Sequence, residues 1–449
     1  MRHCPPELAE LTLTLTVPHP LDIPLALAAL ASIASASYWI TLGVHVWRTK
    51  VLLPTARDGL ALPEAAAIAS AMGTQTATPG SSPAPPPPPR VVIIIPAHNE
   101  QSVIATLARS LKALDYPAFE VIFALDRCTD STEPILRDLI GTDRRFSFCP
   151  VRPCPDGWAG KVNAVWSAVL ERRADTAAAT KPPADLLLFA DADTTFDPAC
   201  LRATVALLQN RKLDLLSLLS TLGTQSWYEK IVQPVAGIEM LRQAPPLRAN
   251  RERHARPFAN GQFMLFRREV YDALGGHEVV RDELLEDIHL ARKMVWGGHR
   301  AGLLLADGML RCRMYENYPA FVRGWKRIYT EVANRKPNRL RRAAAVKLLT
   351  GVGLPVVALL SFALGVIGLI IGADLTLACL ALAFGTLALA AMTASLSMAF
   401  RMGGSWLGGI LTYPLGACLV ARILRQAASD LTHRRGIVWA GKTYDRPVR

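Results

Sequence analysis

Long uncharged apolar runs lie towards both ends of this chain of 449 residues, and they limit its possible folds more than any other feature. The first extends from Leu25 to Trp47, and about 20 apolar residues suffice for a helix to cross a hydrocarbon core of about 30 Å. Later runs extend from Leu348 to Ala373 and from Leu375 to Phe400, with a weaker one from Trp406 to Val420. We therefore expect transmembrane helices at both ends of the chain.

The first run is predicted to be a retained membrane anchor and not a cleaved signal peptide. A signal peptide would have a basic start, a shorter apolar region and a small-residue cleavage site. Tyr38, Trp39 and Trp47 instead suit the membrane interface, where aromatic side chains anchor a helix that stays in place.

Basic residues next to the apolar runs predict the orientation of the chain. Arg48 and Lys50 follow the first run and a basic cluster precedes the second, so the positive-inside rule places the region between them in the cytoplasm. That cluster consists of Arg335, Lys336, Arg339, Arg341, Arg342 and Lys347. The basic residues of the tail also favour the cytoplasm, although three C-terminal spans would put them outside: Arg422, Arg425, Arg434, Arg435 and Lys442. Either the 406–420 segment is re-entrant or interfacial, which we favour, or the rule fails there.

The composition agrees with separate membrane and soluble segments. Hydrophobic residues make up 51% of the chain, yet its formal net charge is +13, and the basic residues concentrate at the membrane edges. Attraction to anionic headgroups explains this excess better than binding of nucleic acid. The 8 Cys residues lack paired spacing, so the sequence indicates neither a zinc site nor a disulfide framework.

These patterns divide the chain into six segments. They are an N-terminal segment (1–22), a transmembrane helix (23–48), an Ala/Pro-rich linker (49–89), a soluble domain (90–342), a C-terminal membrane region (343–425) and a basic tail (426–449). The linker ends in the run Pro85 to Pro89, which favours an extended polyproline helix and a semi-rigid spacer.

Strand and helix patterns alternate in the soluble domain. The predicted strands are Val91–Pro96, Glu120–Leu125, Phe146–Val151 and Asp185–Ala190, and the predicted helices are Ser102–Leu114, Glu133–Ile140 and Lys161–Glu171. This alternation predicts an α/β fold, a mostly parallel sheet with helices on both faces, and ligands in such sheets bind beyond the carboxyl ends of the strands.

Three of these strands end in polar residues, in the segments 96–100, 126–130 and 191–193. Each one alone is explained as a helix cap or a turn, but three on one edge of one sheet are not. Asp191 and Asp193 aim two carboxylates at one point, and carboxylates are the ligands that Mg²⁺ and Mn²⁺ prefer. A metal ion held there would stabilise negative charge that develops on a leaving diphosphate.

A second acidic pair, Glu286 and Asp287, lies near the start of a predicted helix that runs to about Trp296. Two explanations remain open at this point. Acidic side chains stabilise a helix N-terminus, and a carboxylate held at a helix start also suits a general base that takes a proton from a hydroxyl.

Together these segments resemble the family 2 glycosyltransferases, which have the GT-A fold, over roughly residues 90–342. The matching segments are 96–100, Asp126 within LDRCTDS, 157–161 (GWAGK), 191–193 (DAD), 261–268 (GQFMLFRR) with the following Gly275-Gly276, and 286–287. The layout of one N-terminal span, this domain and C-terminal spans resembles the lipid-modifying members, particularly the hopene-associated glycosyltransferases, and more distantly ceramide glucosyltransferase.

The resemblance implies a role for each matching residue. Nucleotide-sugar contacts would come from Pro96, Asn99, Glu100, Asp126, Lys161, Asp191 and Gly261. Asp193, with Asp191, would hold Mg²⁺ or Mn²⁺ on the diphosphate. Asp287 would be the general base, with Glu286 beside it, and the reaction would invert the anomeric carbon. A UDP-sugar is the commonest donor in such enzymes.

The sequence departs from the family pattern in two places. Leu125 replaces the first of two adjacent acids, and the stretch 321–327 (FVRGWKR) lacks the Gln of the QxxRW motif of processive synthases. Arg323 and Trp325 would contact the acceptor or the diphosphate, although an amphipathic helix at the membrane edge explains them equally well. Processive synthesis is therefore disfavoured.

We predict an integral membrane enzyme that transfers a single hexose to a lipid such as a hopanoid, a sphingolipid-like molecule or a terpenoid. A transferase for polyprenyl phosphate or for a soluble acceptor is the alternative within the same chemistry. A third hypothesis is an inactive membrane scaffold, which Leu125 and the missing Gln favour and which the intact Asp193 and Asp287 disfavour.

Overall fold

The structure is a computed structural model that describes residues 19–73, 87–151, 153–251, 256–439 and 442–444. The chain divides into two compact units, one of residues up to 42 with 353–394, the other of residues 43–352 with 395–449. Most of the predicted N-terminal segment, the linker from 74 to 86 and residues 440, 441 and 445–449 of the basic tail lie outside the described residues.

The elements are numbered here in chain order within the described residues. The α-helices are α1 Asp22–Leu52, α2 Pro63–Gly73, α3 Ile104–Lys112, α4 Thr132–Ile140, α5 Gly160–Ala177, α6 Cys200–Asn210, α7 Trp227–Ile231, α8 Gln233–Gln243, α9 Pro246–Ala249, α10 Arg268–Ala273, α11 Glu286–Trp296, α12 Tyr318–Val332, α13 Pro337–Leu348, α14 Leu354–Ile371, α15 Leu375–Met402 and α16 Tyr413–Thr432. The strands are β1 Val91–Ala97, β2 Phe119–Leu125, β3 Phe146–Pro150, β4 Leu186–Phe189, β5 Thr194–Phe196, β6 Leu215–Leu219, β7 Thr221–Leu222, β8 Met264–Arg267, β9 Ala301–Leu305, β10 Leu310–Cys312, β11 Ile437–Trp439 and β12 Lys442–Tyr444.

A seven-stranded sheet in the order β3-β2-β1-β4-β8-β6-β9 forms the centre of the second unit. The strands β3, β2, β1 and β4 are mutually parallel, and β6 is parallel to β9, whereas β8 runs antiparallel to both β4 and β6. The predicted mostly parallel α/β fold is therefore confirmed. The antiparallel β8 was not predicted, because its short apolar run carries no signal of strand direction.

The sheet is buried on both faces because helices cover each side. Alternate residues of β1 point to opposite faces, so Ile93 packs in the core with α3, α4 and α6, and Ile94 packs in the core with α5. This double burial explains why β1, β2 and β4 read as nearly continuous apolar runs. Every helix and strand predicted between residues 91 and 190 is present, with ends that differ by a few residues.

The first part of the predicted linker differs from expectation, because residues 56–73 fold onto the soluble domain. A 3₁₀-helix, Ala56–Ala61, and α2 pack against α6, and Ala56 and Ile68 belong to the hydrophobic core. Gly59 approaches Ala203 so closely that a Cβ at residue 59 would lie 2.1 Å from its carbonyl oxygen. The small side chains of residues 56–73 therefore allow this segment to pack closely against α6, which explains why it is rich in Ala.

Three helices of the described residues are long and apolar enough to cross a membrane: Asp22–Leu52, the continuous stretch Pro337–Ile371, and Leu375–Met402. In the first unit, Gly365 and Gly385 bring α14 and α15 together, since a Cβ at either residue would lie within 2.6 Å of a backbone nitrogen of the other helix. The weak 406–420 run forms a 3₁₀-helix, Leu407–Ile410, and the start of α16.

The Glu239 carboxylate organises a buried ionic cluster where α8 meets α13. It accepts hydrogen bonds from Arg242 at 2.6 and 3.0 Å and from Gln243 at 2.9 Å, and it lies 3.4 Å from the Lys347 ammonium. Glu239 and Lys347 are both almost inaccessible to water. A buried charge that loses its partner is strongly destabilising.

We expect Glu239→Gln to lower the free energy of unfolding by about 3–5 kcal/mol, because it leaves the Lys347 ammonium buried without a carboxylate. Denaturant unfolding of the detergent-solubilised protein measures this change. The matched control is Glu133→Gln, which removes the exposed pair with Arg137 and should cost about 0–1 kcal/mol. Equal effects of the two variants would contradict the prediction.

Candidate active site

The carboxyl ends of β1 and β2 form the first part of the candidate site. Pro96 of β1 pairs with Ala124 of β2, so the segments that follow the two strands emerge side by side. Asp126 is buried and both of its oxygens accept hydrogen bonds from Arg127, at 2.7 and 2.9 Å. Asn99 has a left-handed backbone (φ 56°), and its Oδ1 accepts the Thr129 N–H at 2.8 Å. The structure thus brings Pro96, Asn99 and Asp126 together.

The second part of the site joins both acidic motifs through one lysine. Lys161 Nζ lies 2.7 Å from Asp191 Oδ1 and 2.6 Å from Glu286 Oε1. Asp287 Oδ2 accepts the backbone N–H of Gly261 at 2.8 Å. Five of the predicted residues, distant in sequence, therefore converge at one point.

The fold explains this convergence. Asp191 follows β4, and Gly261 lies just before β8, the antiparallel neighbour of β4. Lys161 is in the first turn of α5, and Glu286 and Asp287 begin α11. Glu286 and Asp287 thus lie at the N-terminus of α11 and also beside Lys161. Stabilisation of the helix start and a role as general base are therefore compatible.

Charges in this cluster shift the pKa values of its members in opposite directions. Burial disfavours the charged form of Lys161, but Asp191 and Glu286 outweigh it and raise the lysine pKa. Burial also opposes ionisation of Glu286, yet Lys161 brings its pKa below the ordinary value. Burial, with repulsion from Glu286, raises the pKa of Asp287 to about 7. Of the adjacent acids, Glu286 is the stable anion and Asp287 titrates near neutrality.

Asp193 and Glu100 connect the two parts of the site. Burial and repulsion from Asp191 raise the pKa of Asp193 to about 7. Burial and repulsion from Asp193 and Asp191 raise the pKa of Glu100 to about 8. Glu100 therefore lies in the electrostatic field of the two aspartates, and its contact with the nucleotide-sugar remains a prediction.

Asp191 and Asp193 fit a divalent cation. Among the described residues, Asp193 Oδ1 is a buried oxygen with no hydrogen-bond partner, which is the state expected of an oxygen that binds an external group. Mg²⁺ needs only one or two protein carboxylates when substrate phosphates and water complete its coordination. The negative charge that raises the pKa values of Asp193 and Glu100 would also favour a bound cation.

Sequence reasoning missed Cys312 and Tyr315, which border the Asp193 side of the site. β10 pairs with β5, and the Arg313 N–H donates to the Asp193 carbonyl oxygen at 3.0 Å. Burial, then Asp193, raises the pKa of the Cys312 thiol far above its usual range. The Asp307-Gly308 turn, with φ of 48° and 80°, signals a turn before β10, but no local signal indicates the pairing of β10 with the distant β5.

Arg323 and Trp325 are not brought together. Arg323 is exposed on α12, whereas Trp325 is 4% exposed and packs against Phe321 and Tyr329 with ring centroids 6.1 and 5.2 Å away. Residues two positions apart on a helix are separated by about 200° around its axis, so these two side chains point to different sides. Their contact with acceptor or diphosphate remains a prediction.

Two family models match overlapping parts of the chain. The family described as Glycosyl transferase family 2 matches residues 92–275, and Glycosyl transferase family group 2 matches residues 186–394. A search of curated proteins found no match.

Several solved structures are similar at low identity. PcManGT, a mannosyltransferase from Pyrobaculum calidifontis in complex with GDP-Man and Mn²⁺, is 17% identical over 87% of this chain and 99% of that chain, with a TM-score of 0.41. S. aureus TarS 1–349 with UDP-GlcNAc is 13% identical over 80% and 96%, with a TM-score of 0.37. Glucosyl-3-phosphoglycerate synthase from Mycobacterium tuberculosis, with Mn²⁺, UDP and glucosyl-3-phosphoglycerate, is 18% identical over 55% and 79%, with a TM-score of 0.34.

Gly261 leaves little room for a side chain between Lys161 and Asp287. A Cβ at this residue would lie 3.1 Å from Lys161 Nζ and 3.2 Å from Asp287 Oδ2, closer than ordinary contacts. We expect Gly261→Ala to displace both groups and to lower the free energy of unfolding by about 1 kcal/mol, the lower range of overpacking costs. Chemical unfolding of the detergent-solubilised variant measures this.

The matched control for this prediction is Gly237→Ala in α8, where a Cβ would meet nothing within 4 Å. That variant should be more stable than the parent by about 0.5–1 kcal/mol, because alanine has the better helix propensity. If Gly261→Ala is as stable as Gly237→Ala, the close packing around residue 261 is not real.

Proposed function

We propose that this glycosyltransferase, two overlapping parts of which match family 2 models, transfers one sugar from a nucleotide-diphosphate donor to a membrane lipid, with a divalent metal bound and with inversion at the anomeric carbon. The observation that carries this proposal is the contact of Lys161 with both Asp191 and Glu286, which unites the candidate metal motif and the candidate base in one site.

The donor would bind across the carboxyl edge of the sheet. Pro96, Asn99 and Asp126 would form the wall for base and ribose, since they lie together at the ends of β1 and β2. Lys161 would bind the diphosphate, because it supplies a cation at the start of a long helix, where backbone N–H groups also favour anions. A UDP-sugar is the donor that we expect first.

Asp191 and Asp193 would hold Mg²⁺ or Mn²⁺ on the diphosphate, and a bound divalent ion there would stabilise the charge that develops on the leaving group. Lys161 would contribute a second positive charge at the same place. Glu286 would hold Lys161 in position through the 2.6 Å ion pair. Glu286 is thus a positioning residue, and Asp287 is free for proton transfer.

Asp287 would act as the general base. It takes the proton of the acceptor hydroxyl while that oxygen forms a bond to the anomeric carbon and the bond to the nucleoside diphosphate breaks. The Gly261 N–H fixes one carboxylate oxygen, so the carboxylate is held in one orientation. A pKa of about 7 makes it a far better base at neutral pH than an ordinary aspartate.

A membrane lipid is the proposed acceptor because the site and the ends of all three apolar helices belong to one compact unit. Residues 43–52, 337–352 and 395–402 are parts of those helices and fold with the catalytic residues. Gly43 packs closely against Ser395 there, because a Cβ at residue 43 would lie only 2.6 Å from Ser395 Oγ. The basic residues beside these ends favour the cytoplasm for the catalytic domain.

Transfer of labelled sugar by the purified, reconstituted protein tests the proposal, with the product identified by mass in the lipid phase. Asp193→Ala and Asp287→Asn should each lower the rate at least about 100-fold, as should removal of divalent metal by EDTA. Asp143→Asn, which alters a surface pair with Arg145, is the control and should leave the rate unchanged. Transfer that survives both site variants would remove this mechanism, and product only on polyprenyl phosphate or in the aqueous phase would change the acceptor.

The pH dependence of kcat/KM should report Asp287. The base must be deprotonated, so kcat/KM should rise about tenfold per pH unit below about pH 7 and level off above it. With saturating divalent metal, which keeps Asp193 ionised, Asp287→Asn should retain little activity, and that remainder should lack the acidic limb. An unchanged limb in this variant would assign the titration to another group.

A further inference from the structure

The exposed side of α16 changes from apolar to basic along one stripe. Leu415, Cys418, Arg422 and Arg425 are all exposed and are spaced i, i+3, i+7 and i+10, which places them on one face of a helix. Leu411, just before the helix, is 88% exposed. The stripe is therefore apolar at the start of the helix and positively charged towards its end.

The exposed side of α13 shows the same change with the same spacing. Arg339, Arg342, Val346 and Leu349 are exposed at i, i+3, i+7 and i+10, and the apolar end leads through a π-helical turn, Leu349–Gly353, into α14. The continuous helix from Pro337 to Ile371 has 35 residues, about 50 Å at 1.5 Å per residue. Because a hydrocarbon core is about 30 Å thick, the first turns of α13 extend beyond it.

The change from apolar to basic residues runs in the same direction along both stripes, because α13 and α16 pack antiparallel. A Cβ at Gly351 would lie 2.2 Å from Ala417 Cβ, so the apolar ends are neighbours. Arg341 Nη2 donates to Thr432 Oγ1 at 3.1 Å, so the basic ends are neighbours too. Both helices thus pass from apolar to basic surface at matching heights.

The opposite side of α16 is covered by the catalytic domain. A Cβ at Gly416 would lie 2.5 Å from the Ile231 carbonyl oxygen and 2.7 Å from Val235, and Lys326 forms an ion pair with Asp430. From Tyr413 to Arg422 the helix rises only about 14 Å, less than half of a hydrocarbon core.

We propose that the exposed stripes of α13 and α16, with the 405–415 segment, form one surface that binds the anionic leaflet on the catalytic side. Leu349, Leu411 and Leu415 enter the acyl region, and Arg342, Arg422 and Arg425 bind anionic headgroups. Charge complementarity and continuity with an apolar helix long enough to span identify the leaflet as the partner. Trp406, 49% exposed, fits the headgroup level.

One topological consequence is that α16 enters the membrane but does not cross it. The described part of the chain then crosses three times, and residues 433–439 lie on the same side as the catalytic domain. This arrangement satisfies the positive-inside rule for Arg422, Arg425, Arg434 and Arg435, which a fourth crossing would violate.

Fluorescent labels test the depth of the surface. An environment-sensitive dye is attached to Leu411→Cys or to Thr432→Cys, with Cys4, Cys379 and Cys418 replaced by Ser and parental labelling subtracted. In vesicles of phosphatidylcholine and phosphatidylglycerol, nitroxide on the acyl chains should quench the dye at 411 severalfold more than the dye at 432, and iodide should do the reverse. Equal access of iodide to both dyes would overturn the proposal.

Side-specific labelling tests the topology. In sealed membrane vesicles, an impermeant maleimide should reach Thr432→Cys from the same side as Arg137→Cys, which reports the exposed surface of the catalytic domain. Labelling of the two residues from opposite sides would show that α16 crosses and would overturn the proposal.

Charge variants test the choice of lipid. Spin-labelled phosphatidylglycerol should associate with the parent protein more than spin-labelled phosphatidylcholine, and Arg422→Gln with Arg425→Gln should lose at least half of that preference. High salt should weaken it in the parent, because screening reduces attraction between exposed charges. Arg137→Gln, remote from the surface, is the control. A preference unchanged by the double variant would rule out these arginines as the headgroup site.

Discussion

The ion pairs of Lys161 hold the candidate site together. This ammonium lies between Asp191 at the end of β4 and Glu286 at the start of α11, so one cation joins two motifs that the chain contributes separately. Burial, together with repulsion from neighbouring carboxylates, raises the pKa values of Asp193, Asp287 and Glu100 in the same site. The site therefore has an excess of negative charge, which a cation and the positive groups around a diphosphate would balance.

The antiparallel strand β8 gives this cluster its geometry. By pairing with β4 it brings Gly261 beside the Asp191 edge, and the Gly261 N–H then fixes Asp287. A Cβ at residue 261 would press on both Lys161 and Asp287. The antiparallel strand β8 thus positions Asp287, the candidate base.

The same unit carries the membrane-facing ends of the apolar helices. The buried cluster of Glu239, Arg242 and Lys347 joins α8 to the helix that leaves towards α14, and α16 packs against both α13 and α8. The catalytic residues and these helix ends therefore belong to one compact unit.

The sequence by itself determined the α/β class, the strands that end in polar residues and the positions of the apolar helices, since these depend on local periodicity and run length. It also indicated Asp191, Asp193, Lys161, Glu286 and Asp287 individually. Only the tertiary structure decided that Lys161 touches both acids, that Glu100 lies in the field of Asp193, that residues 56–73 pack as helix, and that Arg323 and Trp325 face different ways. Those outcomes depend on contacts between segments that are distant in the chain, and local sequence patterns do not predict such contacts.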